Sequence, residues 1–213
     1  MDTFAKTPPK TKASFVNSNV LGNKKILVNT PSMQGSGGVA NYFRVLDIKE
    51  EPGIDYFYVN DPGKSSIFSK TFGLLFLYIK FMFTIGKYDL CHLNVSLNFK
   101  SYYRDLGFMI LCRLFGKKFM IFFHGWDHDF EARLKKSKLQ MALFRATYAH
   151  ARGAMLLGKV FKEKFVDFGI NPDCKLYLET IIVDDSRVEE LNLEVKIASM
   201  QERVRILYLS RIE

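Results

Sequence analysis

Six short apolar runs, each separated from the next by a stretch with helical spacing, constrain this chain more than any other feature. They are Lys25–Thr30 (KILVNT), Ile54–Asn60 (IDYFYVN), Tyr88–Leu93, Lys118–Phe123, Gly153–Leu157 and Lys175–Leu178. Each is close to continuously apolar rather than alternating, as a strand must be when both faces of its sheet are covered. The intervening stretches read as helices over Gly37–Ile48, Ser66–Ile85, Asn98–Phe115, Phe130–Ala151 and Lys159–Phe168, with Gly86, Gly116 and Gly169 as stop signals. Strands that alternate with helices and connect by right-handed crossovers predict an α/β fold: a Rossmann-like, doubly wound parallel sheet.

The pattern has limits on both sides. Residues 1–23 are polar and lack the apolar centre of a signal peptide, so they read as a disordered leader. The sheet domain is expected over 24–183. Residues 184–203 turn acidic and polar, as a linker would, and Val204–Leu209 is a further buried-strand pattern. That strand has little to pair with in a chain of 213 residues, and we read it as the first strand of a second domain, cut short. On this reading the fragment would transfer little or nothing on its own.

The formal net charge is +9, and the surplus is uneven. Residues 64–118 carry nine basic and two acidic side chains, whereas from Glu179 onward acids outnumber bases eight to five. A basic first three-quarters suits an anionic partner, either a phosphorylated ligand or anionic lipid. Nucleic acid fits less well, because no helix-turn-helix, zinc-finger or single-strand-binding signature is present. The 66–85 segment, SIFSKTFGLLFLYIKFMFTI, is apolar nearly all round but interrupted by Lys70 and Lys80. Two lysines inside it argue against a span; it reads as a buried helix or, alternatively, as a helix lying on a lipid interface. Cys91, Cys112 and Cys174 are odd in number and far apart, which argues for a reducing, cytoplasmic setting and against a disulfide framework or structural zinc.

Ligands of open parallel sheets bind beyond the carboxyl ends of the strands, which directs attention to two loops. In Gly35-Ser36-Gly37-Gly38-Val39-Ala40, bare amides at Gly37 and Gly38 open a helix whose N-terminus attracts anions. The pattern matches the dinucleotide fingerprint G-x-G-x-x-A, but Pro31 to Gln34 separate it from the strand, and no G-K-[ST] follows as a P-loop requires. In His124-Gly125-Trp126-Asp127-His128-Asp129, the two histidines are spaced for zinc only on a helix, which Gly125 disfavours, so no metal is expected. His124 beside a glycine suits hydrogen bonding to a hydroxylated substrate, with Trp126 and Asp127 close by; a helix-capping loop through Asp127 or Asp129 is the plainer alternative. Asn94, just past the third strand, joins the candidates, while His92 reads as core.

Taken in order, KILVNTPSMQGSGGVANYF, YDLCHLNVSL, LFGKKFMIFFHGWD, AHARGAMLLGKVFKEKFVDFGI and VRILYLSRIE resemble the N-terminal domain of retaining glycosyltransferases of family 4, which have the two-domain GT-B fold. The resemblance implies an acceptor-binding first domain and a donor-binding second domain, with transfer from a nucleotide-sugar to a glycan or lipid-linked acceptor in the cleft between them. It implies that Gly37 and Gly38 lie over the cleft, that His124 contacts the transferring sugar, and that Arg211 neutralises the leaving diphosphate, without a bound cofactor or metal. The implied setting is cell-surface polysaccharide or glycolipid synthesis at the inner face of the cell membrane. The chain departs from the family pattern at Asn94, at Gly158-Lys159 and at Thr180 to Asp184. Three other readings stay open: a non-catalytic, membrane-peripheral module that binds acceptor or nucleotide, a nicotinamide-dependent oxidoreductase, and a gene remnant with no stable fold.

Overall fold

The computed structural model describes residues 22–35, 37–46, 48, 51–59, 67–179 and 197. The chain divides into one unit of residues 1–181 and another of 182–213, and the fold below is that of the first. The expected final strand, and nearly all of the expected linker and leader, lie outside the described residues.

Among the described residues six strands form one sheet, and every pairing in it is parallel. They are β1 (Ile26–Thr30), β2 (Ile54–Tyr58), β3 (Leu90–Leu97), β4 (Lys118–Trp126), β5 (Gly153–Leu156) and β6 (Lys175–Leu178), in the spatial order β2-β1-β3-β4-β5-β6. The doubly wound α/β fold expected from the sequence is therefore the one observed. The helices are α1 (Gly38–Leu46), α2 (Ile67–Ile85), α3 (Phe99–Leu114), α4 (His128–Lys136), α5 (Lys138–Ala146) and α6 (Lys159–Asp167), with one 3₁₀ turn at Tyr148–His150. The β1-to-β2 connection runs one way along the sheet, and every later one runs the other way. Right-handed crossovers then place α1 on one face and the remaining helices on the other. Ring contacts agree: Tyr42 and Phe43 of α1 meet Phe122 and His92, whereas Phe81 and Phe108 meet Phe57, and Tyr148 and Phe165 meet Phe123, on the opposite face.

The multi-helix face carries the main core, in which Leu27, Phe57, Cys91, Leu93, Val95, Ile121 and Phe123 are buried under Phe81, Phe108, Tyr102, Phe144 and Phe165. Each such aromatic contributes roughly 1.5–3 kcal/mol when fully buried. Gly107 lets α2 and α3 approach closely, because a Cβ there would fall on the ring of Tyr78, whose hydroxyl donates to the Arg104 carbonyl at 2.8 Å. At the end of α3, Gly116 takes φ 61°, and the Lys117 amide returns to the Cys112 carbonyl at 2.8 Å, which seals the helix end.

The structure differs from the sequence reading in three places. Both β3 and β4 run past their expected ends, to Leu97 and Trp126. The helix expected over 130–151 is two helices and a turn. Ser137 breaks it with an extended backbone (φ −96°, ψ 108°) and caps α5 by accepting from the Gln140 amide. And α2 is only half a core helix: Phe81 and Ile85 are buried, while much of its other side is open.

An ionisable carboxyl lies inside this core. Asp105 of α3 is buried and accepts from Arg104 Nε at 2.7 Å, but its Oδ2 is buried without a hydrogen bond. Burial pushes its carboxyl from 3.8 up to about 6, although Arg104 and the Ser96 amide pull the other way. A carboxyl with a raised folded pKa contributes stability that is full below the unfolded value and lost as pH rises through the folded one. Asp105 therefore costs stability progressively from about pH 4 to pH 6 and by a constant amount above. Replacing it by Asn should stabilise the domain at pH 7–8 by up to about 3 kcal/mol and have little effect at pH 4, as read by urea unfolding across that range. Lower stability of Asp105→Asn at pH 8 would mean that the ion pair with Arg104 outweighs the cost of burial.

Candidate functional site

The reversal of strand order falls between β1 and β3, and their carboxyl ends are where a crevice opens in a sheet of this kind. Polar side chains gather there within strands that are otherwise apolar. The β3–β4 ladder pairs Val95 with Phe123 and then Ser96 with Gly125, so that His124 is the extra residue of a β-bulge. A bulge re-aims the side chains on either side of it. His124 shares the α1 face with Phe122, whose ring centroid lies 3.9 Å from its own, and it also meets Tyr42 at 5.6 Å.

Asn94 on β3 is buried and bridges two strands. Its Nδ2 donates to the Asn29 carbonyl of β1 at 2.7 Å, and its Oδ1 lies 2.7 Å from His124 Nε2. With its amide nitrogen facing a carbonyl, Asn94 can only accept from the imidazole, so Nε2 carries the ring proton. That assignment leaves Nδ1 with a lone pair and no partner among the described residues. Burial, with a smaller contribution from His92, lowers the His124 pKa to about 4. The ring is then neutral at physiological pH, with one N–H fixed and one acceptor free. Such a group accepts a hydrogen bond from a hydroxyl and has no charge to offer a phosphate.

Thr30, the last residue of β1, completes the cluster. It is fully buried, and its Oγ1 has no hydrogen-bond partner. The β1–β3 register pairs Asn29 with Leu93, which puts Thr30 at the level of Asn94. His92 Nε2, one pleat deeper, is likewise buried without a partner.

Gly38 opens α1, and Asn41 N–H is bonded back to the Gly37 carbonyl at 3.0 Å. Both glycines are exposed, and a Cβ at either would meet nothing within 4 Å. One turn further on, Tyr42 packs on His124, so that the glycine loop and the imidazole are joined through α1.

The other candidates lie elsewhere. Trp126 returns to the multi-helix face, where it packs on Phe123, Phe161 and Phe168, and its indole donates to Glu131 Oε2 at 2.8 Å. Asp127 caps α4 by accepting from the Asp129 and Phe130 amides at 2.9 and 3.0 Å, the plainer role open to it from sequence. His128 Nδ1 lies 3.4 Å from Glu131 Oε2 and 3.1 Å from Lys164 Nζ. Among the described residues no group of three or more His, Cys, Asp or Glu side chains could hold a metal ion. Arg211 lies outside the described residues.

The chain matches no family model and no curated protein. Among the solved structures that resemble it are two of the Anabaena protein HepE (Alr3699). The complex with UDP and glucose shares 14% identity at a TM-score of 0.44, and the complex with UDP shares 13% at 0.46. Each likeness covers 84% of this chain and 50% of HepE, so the chain spans half the length of the protein it resembles.

Sequence reasoning missed Thr30, read only as the end of a strand, and Glu131. The latter is a buried carboxylate that also accepts from Lys135 and Lys164 at 2.8 and 2.6 Å. Burial alone would raise its pKa; bonds from Lys135, Lys164, Trp126 and His128 outweigh that and hold it at about 2. The Glu131/Lys135 spacing was the available signal, while Lys164 could not be foreseen. A concavity lined by Lys24, Tyr88, Asp89, Gly116, Lys117 and Lys118 opens at the amino ends of the strands, the wrong edge for a ligand of this sheet. Its Lys117 Nζ is already bonded to the Gly86 and Tyr88 carbonyls.

The geometry fixes what spectroscopy should find. Long-range ¹H–¹⁵N spectra at pH 7 should show His124 as the Nε2-protonated tautomer, and the His124 and His92 rings should titrate near pH 4. A histidine with a lowered folded pKa contributes stability above its unfolded value that is lost as pH falls through the folded one, here from 6.5 towards about 4. Asn94→Leu should abolish the tautomer preference; an unchanged spectrum would break the assigned chain of hydrogen bonds.

Proposed function

We propose that this chain is the acceptor-side half of a glycosyltransferase that moves a sugar from a nucleotide-sugar to a glycan or lipid-linked acceptor. The observation that carries the reading is the neutral His124, held by Asn94 with a free acceptor nitrogen at the strand-order reversal. A sugar hydroxyl is the natural donor to such a nitrogen, and the buried Thr30 hydroxyl stands at the same edge. The segments that resemble family 4 glycosyltransferases, and their sequence order, support the same reading from the sequence alone.

In this reading His124 Nδ1 accepts from a hydroxyl of the transferring sugar, and Asn94 is the positioning residue behind it. Gly37 and Gly38 turn their amides to the donor diphosphate or the acceptor. Arg211 neutralises the leaving nucleoside diphosphate with a guanidinium that keeps its charge at any working pH. The bond from the anomeric carbon to the diphosphate oxygen breaks as the acceptor oxygen bonds to the same face of that carbon, with retention. The acceptor hydroxyl's proton leaves with the diphosphate, so no metal is called for. The setting is cell-surface polysaccharide or glycolipid synthesis on the cytoplasmic side of the membrane. A nicotinamide site is the weaker reading, because Gly35 stands five residues past the end of β1 instead of in the turn leaving it.

Saturation-transfer NMR on the purified chain tests this, with a panel of uridine, guanosine and thymidine diphosphate sugars and with nicotinamide dinucleotides as the contrast. Saturation should reach the sugar protons of at least one nucleotide-sugar and fall by several-fold in His124→Ala. Saturation of the nicotinamide ring alone, or of no ligand, or an unchanged signal in a folded His124→Ala, would overturn the proposal.

A further inference from the structure

The opposite face of the molecule carries a feature that sugar transfer does not require. On α2, Phe72, Leu75, Phe76, Ile79 and Phe83 follow one another at helical spacing on one side, and all are exposed. Phe72 is 67% exposed, Phe76 65% and Phe83 74%. On α3, packed beside it through Gly107 and Tyr78, Ile110 and Leu114 continue the surface, with Leu114 75% exposed. A contiguous patch of this kind on two neighbouring helices is rare on a freely soluble surface and marks an interaction site.

Its charges indicate the partner. Between Ile67 and Leu114 the only carboxylates are Asp89 and Asp105. Asp105 is buried against Arg104, and Asp89 accepts from the Lys25 amide at the amino edge of the sheet. The two helices therefore present no exposed carboxylate among the described residues, while Lys80 and Lys100 stand exposed on them and Lys87 just past the end of α2. Exposed aromatic rings flanked by cations, on a helix of 19 residues, form the surface that settles into the headgroup boundary of an anionic bilayer. Among the described residues no helix is long and apolar enough to cross one.

We propose that the outer face of α2 and α3 docks this protein on an anionic lipid surface, with Phe72, Phe76 and Phe83 inserted at the acyl boundary and Lys80, Lys87 and Lys100 at the phosphates. The protein lies on the membrane by this face and does not span it. The carboxyl edge of the sheet, with Thr30, Asn94 and His124, is not part of the docking surface. The inference does not rest on the proposed chemistry, and its test does not involve sugars.

Flotation of the full chain with vesicles of phosphatidylglycerol and phosphatidylcholine, against vesicles of phosphatidylcholine alone, reads the interaction directly. Binding should require the anionic lipid and weaken as salt rises. The triple variant Phe72→Ser, Phe76→Ser, Phe83→Ser should lose at least about tenfold in affinity. Lys80→Glu, Lys87→Glu, which leaves the rings in place, should lose binding at low salt, and circular dichroism reports whether either variant remains folded. A second readout avoids the question of folding. A polarity-sensitive dye on Phe83→Cys should shift to the blue with anionic vesicles, and the same dye on Val160→Cys of α6 should not. Equal binding to both vesicle types, no binding to either, or a folded triple variant that binds like wild type would overturn the proposal. So would sedimentation of the wild-type chain as a dimer that the triple variant dissolves, since a second copy would then be the occupant.

Discussion

The structure depends on one topological constraint: β1 is followed by a neighbour on one side, β2, and every later strand is laid down on the other. Because parallel crossovers keep one hand, that change of direction forces α1 alone onto one face and the other described helices onto the opposite one. It also leaves the carboxyl ends of β1 and β3 as adjacent strands whose chains depart in opposite senses. Asn94 is the side chain that closes this junction. Its amide reaches β1 at the Asn29 carbonyl and β4 at His124, so a single buried residue ties together three strands. Such an arrangement is costly as pure structure. A buried polar atom without a partner costs about 1–3 kcal/mol, and Thr30 Oγ1 and His92 Nε2 stand in that condition beside it. A core built for stability alone would place apolar side chains at these positions.

The bulge at His124 determines how the segment that follows is used. In a regular strand His124 and Trp126 would point the same way, and the sequence invites reading them as one site. One inserted residue reverses the parity, so that the imidazole turns to α1 and the indole to the opposite core. From Trp126 to Glu131 the chain serves to hold the end of β4 in place. The indole, Lys135 and Lys164 all bind the Glu131 carboxylate, which fastens the end of β4 to α4 and α6. The cluster thus backs the end of β4 rigidly, one residue pair beyond the imidazole.

The sheet was legible from the sequence because its signal is local. Uninterrupted apolar runs such as Ile26–Val28 and Phe119–Phe123, alternating with helical stretches, are what a parallel sheet covered on both faces requires, and glycines such as Gly116 mark helix ends by a backbone conformation that other residues resist. His124 and Asn94 were also legible as polar residues near the ends of apolar runs. Their relation was not, because the hydrogen bond between them links positions thirty apart and depends on a register that no short window encodes. Trp126 and Asp127 lie outside this cluster for a related reason: Gly125 marks an irregularity in the strand without saying which way the chain turns after it, and Asp127 serves as a helix cap. The break at Ser137 was hidden by helix-favouring neighbours on both sides. Thr30 was invisible because a threonine at the end of a strand is ordinary until burial strips it of water.

The outer side of α2 and α3 poses the converse problem to the site. At the carboxyl edge, polar atoms are buried with partners missing; on these helices, aromatic and aliphatic side chains are exposed with no cover among the described residues. Each departs from what stability alone would select, and they do so on opposite sides of the same sheet. Binary patterning gives α2 its inner stripe, with Phe81 and Ile85 seated on β2 and its neighbours, and that stripe alone would hold the helix in place. A polar outer stripe would serve the fold equally well. The sequence instead carries Phe72, Phe76 and Phe83 there and omits every carboxylate from the helix, a combination that neither helix propensity nor core packing accounts for. The two anomalies are also independent in mechanism. No hydrogen bond or ring contact described here links the Phe72–Phe83 stripe to Asn94 or His124, so occupation of one need not alter the other except by fixing how the sheet's carboxyl edge is presented.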